Sequence, residues 1–189
     1  MHTMLLCLFS LIASTAVADD LLWGKLQHDP DMVVLMRNAE SSGNKNGNNM
    51  LVWDATGNCK GESTLTSKGR AHAKMIGEAF ARRGIKPIVI SSPMCRCTET
   101  ARIAFGDFLT DPDLRQAGSM DSQQQELFQT RAAKLLGKYR GENPVVFVNH
   151  RPNIDSLTME LLEIGDLLVG SINETGEVDV LGRIKVIPD

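Results

Sequence analysis

The sequence has no block of basic residues and no excess of positive charge. Its 20 lysines and arginines are outnumbered by 23 aspartates and glutamates, which gives a formal net charge of -3 at pH 7. Binding to nucleic acids and to anionic membrane surfaces depends on clustered positive charge. We therefore expect neither a nucleic-acid partner nor attachment to a membrane surface by charge.

No hydrophobic run is long enough to span a bilayer. The longest one, residues 4–17, falls short of the roughly 20 residues that a spanning helix needs. It ends in Ala16-Val17-Ala18 and is followed by two aspartates, a pattern typical of a signal-peptide cleavage site. We predict a signal peptide over residues 1–18, a mature chain of residues 19–189 without a membrane span, and a periplasmic or secreted location. The alternative is a buried N-terminal helix, because the segment before the run contains no lysine or arginine.

Cysteines are few, and the disulfides to be expected depend on how many of them remain after cleavage of the signal peptide. Removal of residues 1–18 discards Cys7 and leaves Cys59, Cys95 and Cys97. An odd number in an oxidising compartment predicts one disulfide and one free thiol. Cys95 and Cys97 are too close in sequence to pair comfortably, so we expect Cys59 to pair with Cys97 or, as the less favoured choice, with Cys95. Three buried thiols in a cytosolic protein are the alternative.

Metal sites are also not favoured by this composition. Three cysteines without a suitable cluster of histidines make a poor zinc site. We expect no metal ion and no other cofactor.

What the sequence does contain is an alternation of apolar runs and amphipathic segments. Short apolar runs at residues 33–36, 85–90 and 144–148 predict buried strands, and the segments between them have helical periodicity. Near the C-terminus, two further runs flank the turn residues "NETGE" and predict an edge hairpin. This order favours one α/β domain over residues 19–189, a three-layer α/β/α sandwich with a largely parallel central sheet.

Polar residues follow each of the three predicted parallel strands. These residues are Arg37 and Asn38, then Ser91 to Arg96, then Asn149 to Arg151. Ligands of such sheets bind beyond the carboxyl ends of the strands, so Arg37, Arg96 and His150 are expected to converge. Two guanidinium groups and an imidazole suit a phosphoryl group. Each residue alone would be read as a solvated arginine or an ordinary histidine.

At these positions the sequence resembles the histidine phosphatase (phosphoglycerate mutase-like) superfamily. The resemblance rests on "MRNAES", "LTSKGRAHA", "SSPMCRCTETA" and "VNHRPNI", and it covers roughly Leu22 to Ile187. Within that superfamily the chain is most similar to a small exported bacterial branch that includes lipopolysaccharide core heptose phosphate phosphatase. The segments that carry this closer similarity are "LLWGKLQ", "GNCKGESTLT", the cysteines around Arg96, and "GEVDVLGRI".

The resemblance implies a mechanism in which a histidine attacks phosphorus while two arginines and a second histidine hold the phosphoryl oxygens. Carried over by motif, Arg37, Arg96 and His150 would bind phosphate, and the nucleophile falls on Asn38. An amide nitrogen is essentially non-nucleophilic, although its NH2 group can replace the Nδ1-H hydrogen bond of a histidine. No general acid is assigned, since Gln116 stands where a Glu is expected.

Three functional interpretations therefore stay open. The protein is an inactive or severely impaired member that binds a small phosphorylated or anionic ligand, an active phosphatase with a changed mechanism, or an engineered His-to-Asn variant of an active phosphatase. His28 and His72 are expected to be exposed, and Ser41, Ser42 and Cys59 have no evident base. A phosphosugar is the ligand that the resemblance implies. The sequence does not indicate an oligomeric state.

Overall fold

The computed structural model describes residues 10–43, 50–116 and 121–186. Cys7, with the rest of residues 1–9, lies outside this part of the chain. The helices are α1 (Ser10–His28), α2 (Ser67–Arg82), α3 (Cys95–Phe105), α4 (Ser122–Tyr139) and α5 (Arg151–Thr158), with a single 3-10 turn at Pro112–Leu114. The strands are β1 (Met32–Arg37), β2 (Ile88–Ser91), β3 (Leu109–Thr110), β4 (Val145–Asn149), β5 (Asp166–Ile172) and β6 (Val178–Lys185).

The strands form one six-stranded sheet in the order β3-β2-β4-β1-β5-β6. Strand β4 pairs in parallel with both β1 and β2, and β2 pairs in parallel with β3. The C-terminal hairpin adds β5 antiparallel to β1 and places β6 at the edge. The predicted largely parallel sheet and edge hairpin are confirmed.

Two apolar cores cover the two faces of this sheet. One core joins α1, α2 and α3 to the side of the sheet that carries Val34 and Val146. The other joins α4 and α5 to the side that carries Leu35 and Phe147. The period of two in a strand sends neighbouring residues to opposite faces, and both faces are buried, so β1 and β4 are apolar without interruption. The predicted three-layer α/β/α arrangement is confirmed.

Helix α1 runs continuously through the predicted cleavage point between Ala18 and Asp19. Its second half packs on the sheet through Leu22, Trp23 and Leu26, which are buried. Among the described residues, no helix has the length and apolar character that crossing a membrane requires. The signal peptide over residues 1–18 stays a prediction.

Helix α2 begins where the sequence indicates, because Thr66 caps it. The Thr66 hydroxyl oxygen accepts a hydrogen bond from the Gly69 backbone nitrogen over 3.0 Å, which satisfies one of the free N-H groups of the first turn. The helix ends before Gly84, which has a φ of +67°. After this turn the Ile85 backbone nitrogen donates a hydrogen bond to the Phe80 carbonyl. Ile85 is therefore tied to the end of α2, and β2 starts only at Ile88. The predicted strand start at residue 85 is wrong.

His72 is buried, and the prediction that it is an exposed residue is wrong. Its Nε2 lies 2.7 Å from the carbonyl oxygen of Val186. Because a carbonyl can only accept, this nitrogen carries the proton. The ring also lies against Gly165, where an added Cβ would contact it. His72 therefore connects α2 to the segment around Val186. These two segments are far apart in sequence, so a local sequence pattern gives no sign of the contact. His28 is exposed, as predicted.

Candidate phosphate site

The carboxyl ends of β1, β4 and β2 lie side by side in the sheet. Arg37 is paired with Asn149 in the β1-β4 register, and Ser91 is paired with Val148 in the β2-β4 register. The chain continues this alignment past the strands, because the Asn38 nitrogen bonds to the Asn149 carbonyl over 3.0 Å. His150, which follows β4, therefore lies between the segment of Arg37 and the segment that leads to α3.

His150 is held in place from three directions. Its backbone nitrogen donates to the Asn149 side-chain oxygen over 2.8 Å, and the same oxygen accepts from Asn153 over 2.9 Å. Its Nε2 lies 2.7 Å from the Ser92 hydroxyl oxygen. The Cys97 sulfur lies 3.6 Å from Nδ1 and 3.7 Å from Nε2, without preference for either nitrogen. These contacts fix the position of a ring that is 1% exposed.

The imidazole of His150 is neutral. Burial, followed by the positive charges of Arg96 and Arg37, lowers the pKa of His150 well below its usual value of 6.5. A neutral imidazole can accept one hydrogen bond and donate another. Since the charges of both arginines act on it, the two guanidinium groups and the ring share one electrostatic environment.

Arg96 is the largest fully buried side chain, at 1% exposure. Its Nη2 donates to the Gln116 side-chain oxygen over 2.7 Å and to the Met50 carbonyl over 3.2 Å, and it lies 3.6 Å from the Met94 sulfur. Its Nη1 is buried and has no hydrogen-bond partner among the described residues. A buried charged donor without a partner is costly unless an anion accepts from it.

Arg37 is only partly buried and stands at the end of β1. Burial, followed by the charge of Arg151, lowers the pKa of Arg37, whereas Glu163 acts in the opposite direction. Within the described part of the chain, neither Arg37 nor Arg96 forms an ion pair with a carboxylate. The site therefore holds two positive charges that no salt bridge neutralises.

Asn38 is buried next to these groups, and its side chain folds back on the chain. Its Nδ2 donates to the Ala39 carbonyl over 2.9 Å. The Ala39 nitrogen donates in turn to the Thr100 hydroxyl oxygen over 3.0 Å, which connects this turn to α3. This bond orients the Asn38 side chain, and the amide offers no nucleophilic nitrogen.

The disulfide joins Cys59 to Cys95, across 36 residues, and Cys97 is a free, buried thiol. The predicted bridge is present, but the favoured Cys59–Cys97 pairing is wrong. Helix geometry is the reason: Cys95 begins α3 beside the loop, whereas Cys97 faces inward against His150. The bridge fixes the loop that carries Glu62, whose carboxylate accepts from the backbone nitrogens of Asp54 and Cys95.

Other nucleophiles that could replace a histidine are poorly prepared for that role. Burial raises the pKa of Cys97 to about 12, so the residue is a neutral thiol and not a thiolate. Cys59 is consumed by the disulfide. Ser92 contacts His150, but it is fully buried beside the start of α3, where its oxygen also accepts from the Met94 nitrogen over 3.4 Å.

Two carboxylates that could serve as acids are engaged in other contacts. Asp111 pairs with Arg131 and caps the 3-10 turn. Glu40 accepts from the Thr66 hydroxyl over 2.7 Å. From the loop after β3, the amide of Gln116 contacts Arg96. No carboxylate is therefore assigned as a general acid.

The structure gives roles to three residues to which the sequence assigned none. Ser92 and Asn149 hold His150, and Glu62 caps the start of α3. Ser92 and Asn149 lie at strand ends beside the predicted residues, which is the signal that could have identified them. Glu62 lies in an irregular loop and gives no such signal.

The family comparison agrees with this fold. The family model described as Histidine phosphatase superfamily (branch 1) matches residues 33–132. No curated protein matches the chain.

Solved structures with this fold include proteins that bind oxyanions or phosphorylated acids. The protein histidine phosphatase SixA complexed with tungstate has a TM-score of 0.53 and 13% identity, with 82% of this chain and 96% of that chain covered. Phosphoserine phosphatase from Entamoeba histolytica, in complex with 3-phosphoglyceric acid, has a TM-score of 0.56 and 14% identity, with 82% and 97% covered. TTHB049 from Thermus thermophilus has a TM-score of 0.56 and 20% identity, with 82% and 99% covered.

Proposed function

The chain belongs to the histidine phosphatase superfamily, and we propose that it is an exported member that binds a phosphorylated ligand but has little or no phosphomonoesterase activity. The observation that carries this proposal is Asn38, which occupies the position after Arg37 where the family motif has its nucleophilic histidine. The groups that would hold a phosphoryl group, Arg37, Arg96 and His150, lie around that position. The imidazole nitrogen that would attack phosphorus is missing.

Phosphate binding is supported by the charges at the strand ends. Arg37 and Arg96 carry positive charges that no carboxylate of the described chain pairs with, and Nη1 of Arg96 is buried without an acceptor. Guanidinium groups donate paired hydrogen bonds to phosphoryl oxygens. The neutral imidazole of His150 adds a further polar group, and its fixed position lowers the entropy lost on binding.

The loss of catalysis follows from the chemistry of the amide. The lone pair of the Asn38 nitrogen is delocalised into its carbonyl, and one of its two hydrogens is donated to the Ala39 carbonyl. Cys97, the free thiol of the site, is protonated at neutral pH because of its raised pKa of about 12. Neither Asn38 nor Cys97 is therefore a prepared nucleophile for an active phosphatase with a changed mechanism.

Export and ligand class rest on sequence features together with the disulfide. The A-x-A pattern ending at Ala18 favours cleavage before Asp19, and the Cys59–Cys95 bridge fits an oxidising compartment. The resemblance to the exported branch with heptose phosphate phosphatase favours a phosphosugar. Intact mass of the protein from native cells tests the first point, because an uncleaved cytosolic chain would contradict export.

The central experiment measures binding and hydrolysis in the same mature protein. Isothermal titration with inorganic phosphate should give saturable binding, and hydrolysis of p-nitrophenyl phosphate should stay at background. Arg96→Gln should remove binding, whereas Arg102→Gln, on the exposed side of the same helix, should leave it unchanged. Substantial hydrolysis that Arg96→Gln abolishes would instead support the changed mechanism. Hydrolysis that survives His150→Ala would contradict the site itself.

A further inference from the structure

We propose that Gln116 is a positioning residue of the anion site, where its neutral amide orients the Arg96 guanidinium and leaves the positive charge free for the ligand. This inference rests on the proposed function. It goes beyond that function by assigning a role to Gln116, which lies outside the strand ends. The property that matters is that the side chain in contact with Arg96 is uncharged.

The contacts of Arg96 divide its two terminal nitrogens into different roles. Nη2 is held by the Gln116 oxygen at 2.7 Å, by the Met50 carbonyl at 3.2 Å and by the Met94 sulfur at 3.6 Å. Nη1 has no partner among the described residues although it is buried. One nitrogen therefore fixes the guanidinium plane, and the other is left to donate to an anion.

All three groups that hold Nη2 are uncharged. An amide oxygen, a backbone carbonyl and a thioether can orient a guanidinium without neutralising it, whereas a carboxylate at the same distance would form an ion pair. The charged or titratable groups that face Arg96 are Arg37, Cys97 and Glu62, and His150 in turn responds to Arg96. The charge of Glu62 acts on Arg96 without an ion pair between them in the described structure, and its two oxygens accept backbone N-H groups.

Gln116 is itself held in position by its neighbours. Its backbone nitrogen donates to the Met94 sulfur over 3.4 Å. The carbonyl of the preceding residue, Arg115, accepts from Asn153 of α5 over 3.2 Å. The guanidinium of Arg115 lies over the ring of Trp53, 5.6 Å from its centroid. Because the backbone is anchored at both Arg115 and Gln116, the amide of Gln116 can define the orientation of Arg96.

A substitution that adds charge without changing shape tests this role. In Gln116→Glu, the carboxylate should pair with Arg96 and compete with the ligand for its charge. The competition should disappear when the carboxylate is protonated. Loss of orientation alone, as in Gln116→Ala, should not depend on pH in this way.

The measurement is the dissociation constant of sulfate by isothermal titration, because sulfate keeps its double negative charge between about pH 4 and 7.5 while carboxylates titrate. At each pH the variant is compared with the native protein, which removes the pH dependence that both share. Gln116→Glu should bind about tenfold or more weakly at neutral pH, and this difference from the native protein should narrow as the pH falls towards about 4. Gln116→Ala should bind more weakly by a ratio that stays constant with pH.

Gln129→Glu on the exposed part of α4 is the matched control, because it adds the same charge away from the site, and it should bind sulfate like the native protein. If the native protein binds sulfate and Gln116→Glu binds equally well at every pH, the inference is wrong although the proposed function stands. If neither sulfate nor phosphate binds to the native protein, the proposed function fails and the inference falls with it. Should Gln116→Glu fail to fold, an unchanged affinity of Gln116→Ala would still overturn the positioning role.

Discussion

The Asn38 side-chain nitrogen donates a hydrogen bond to the carbonyl oxygen of Ala39 over 2.9 Å. A histidine at this position could make the same bond through Nδ1-H, which would hold its ring and leave Nε2 unprotonated and free to react. The backbone around residue 38 is thus already arranged for an imidazole. Restoration of the missing group is the most direct test of the proposed function.

We expect Asn38→His to gain hydrolysis of p-nitrophenyl phosphate, at least about a hundredfold above the native background, because a nucleophile is supplied to a formed site. The gain should be partial, since no general acid is assigned among the described residues to protonate the leaving group. The measurement is steady-state turnover together with detection of an acid-labile phosphohistidine. Asn38→Gln, which keeps an amide, should gain nothing, and an equal gain there would contradict the role of the imidazole.

The arginines should be essential in the restored enzyme. We expect Arg37→Ala or Arg96→Ala in the Asn38→His background to lower kcat/KM by about 100-fold or more, because each removes a charge that stabilises the transferred phosphoryl group. Arg102→Ala serves as the control on the exposed side of α3. Retained activity in both site variants would show that another part of the molecule carries the reaction.

Acid should destabilise the fold through His150. Its pKa is low in the folded protein and returns to about 6.5 on unfolding. Above pH 6.5 both states are neutral, whereas below that value the unfolded chain binds a proton that the folded one excludes. We expect the free energy of unfolding to fall by up to about 1.4 kcal/mol per pH unit between the two pKa values.

The check is urea denaturation at a series of pH values. His150→Gln should lose this part of the pH dependence, and the exposed His28→Gln should retain it. Added phosphate should flatten the slope, because a bound anion favours the protonated imidazole. An identical slope in native protein and His150→Gln would show that other groups cause the acid sensitivity.

The disulfide should contribute substantially to stability. Closing a loop over a separation of 36 residues restricts the unfolded chain and is worth about 3 to 4 kcal/mol in the chain-entropy treatment. We expect reducing agent to lower the free energy of unfolding of the native protein by about this amount. The double variant Cys59→Ala/Cys95→Ala should start from the lower value and not respond to reductant. Peptide mapping that links Cys59 to Cys97 would contradict the observed pairing.

Gly77 permits the close approach of α2 and α3. A Cβ at this position would overlap the carbonyl of Ala104. We expect Gly77→Ala to lower the free energy of unfolding by about 1 to 3 kcal/mol despite the better helix propensity of alanine. Gly24→Ala in α1 is the matched control, because nothing lies within 4 Å of its Cβ. It should be neutral or stabilising by up to about 1 kcal/mol in the same denaturation experiment.

The central strands could be predicted from sequence because both of their faces are buried. Val33 to Met36 and Val145 to Val148 are therefore apolar without interruption. Strand β3 could not be predicted in this way, because both of its residues are exposed. It is a strand because it pairs with β2. The edge hairpin was predictable from its turn residues, but its antiparallel pairing with β1 depends on tertiary contacts.

For the candidate site, the sequence indicates which residues stand at strand ends and not the contacts that they make. Arg37, which ends β1, and His150, which follows β4, are placed by the sheet itself. The choice of Cys95 for the disulfide depends on how α3 is rotated, and the burial of His72 depends on the end of the chain. Neither is encoded in a local pattern.

The pairing of β4 with both neighbours determines the spacing of the binding groups. Arg37, His150 and the segment before Arg96 are separated by more than fifty residues along the chain, and the β1-β4 and β2-β4 registers bring them together. A slip of β4 by one residue would turn its side chains to the opposite faces and carry His150 away from both arginines. A ligand can therefore bind only when the strands of the sheet are paired in the correct register. Binding would in turn stabilise this register of β4 relative to any shifted one.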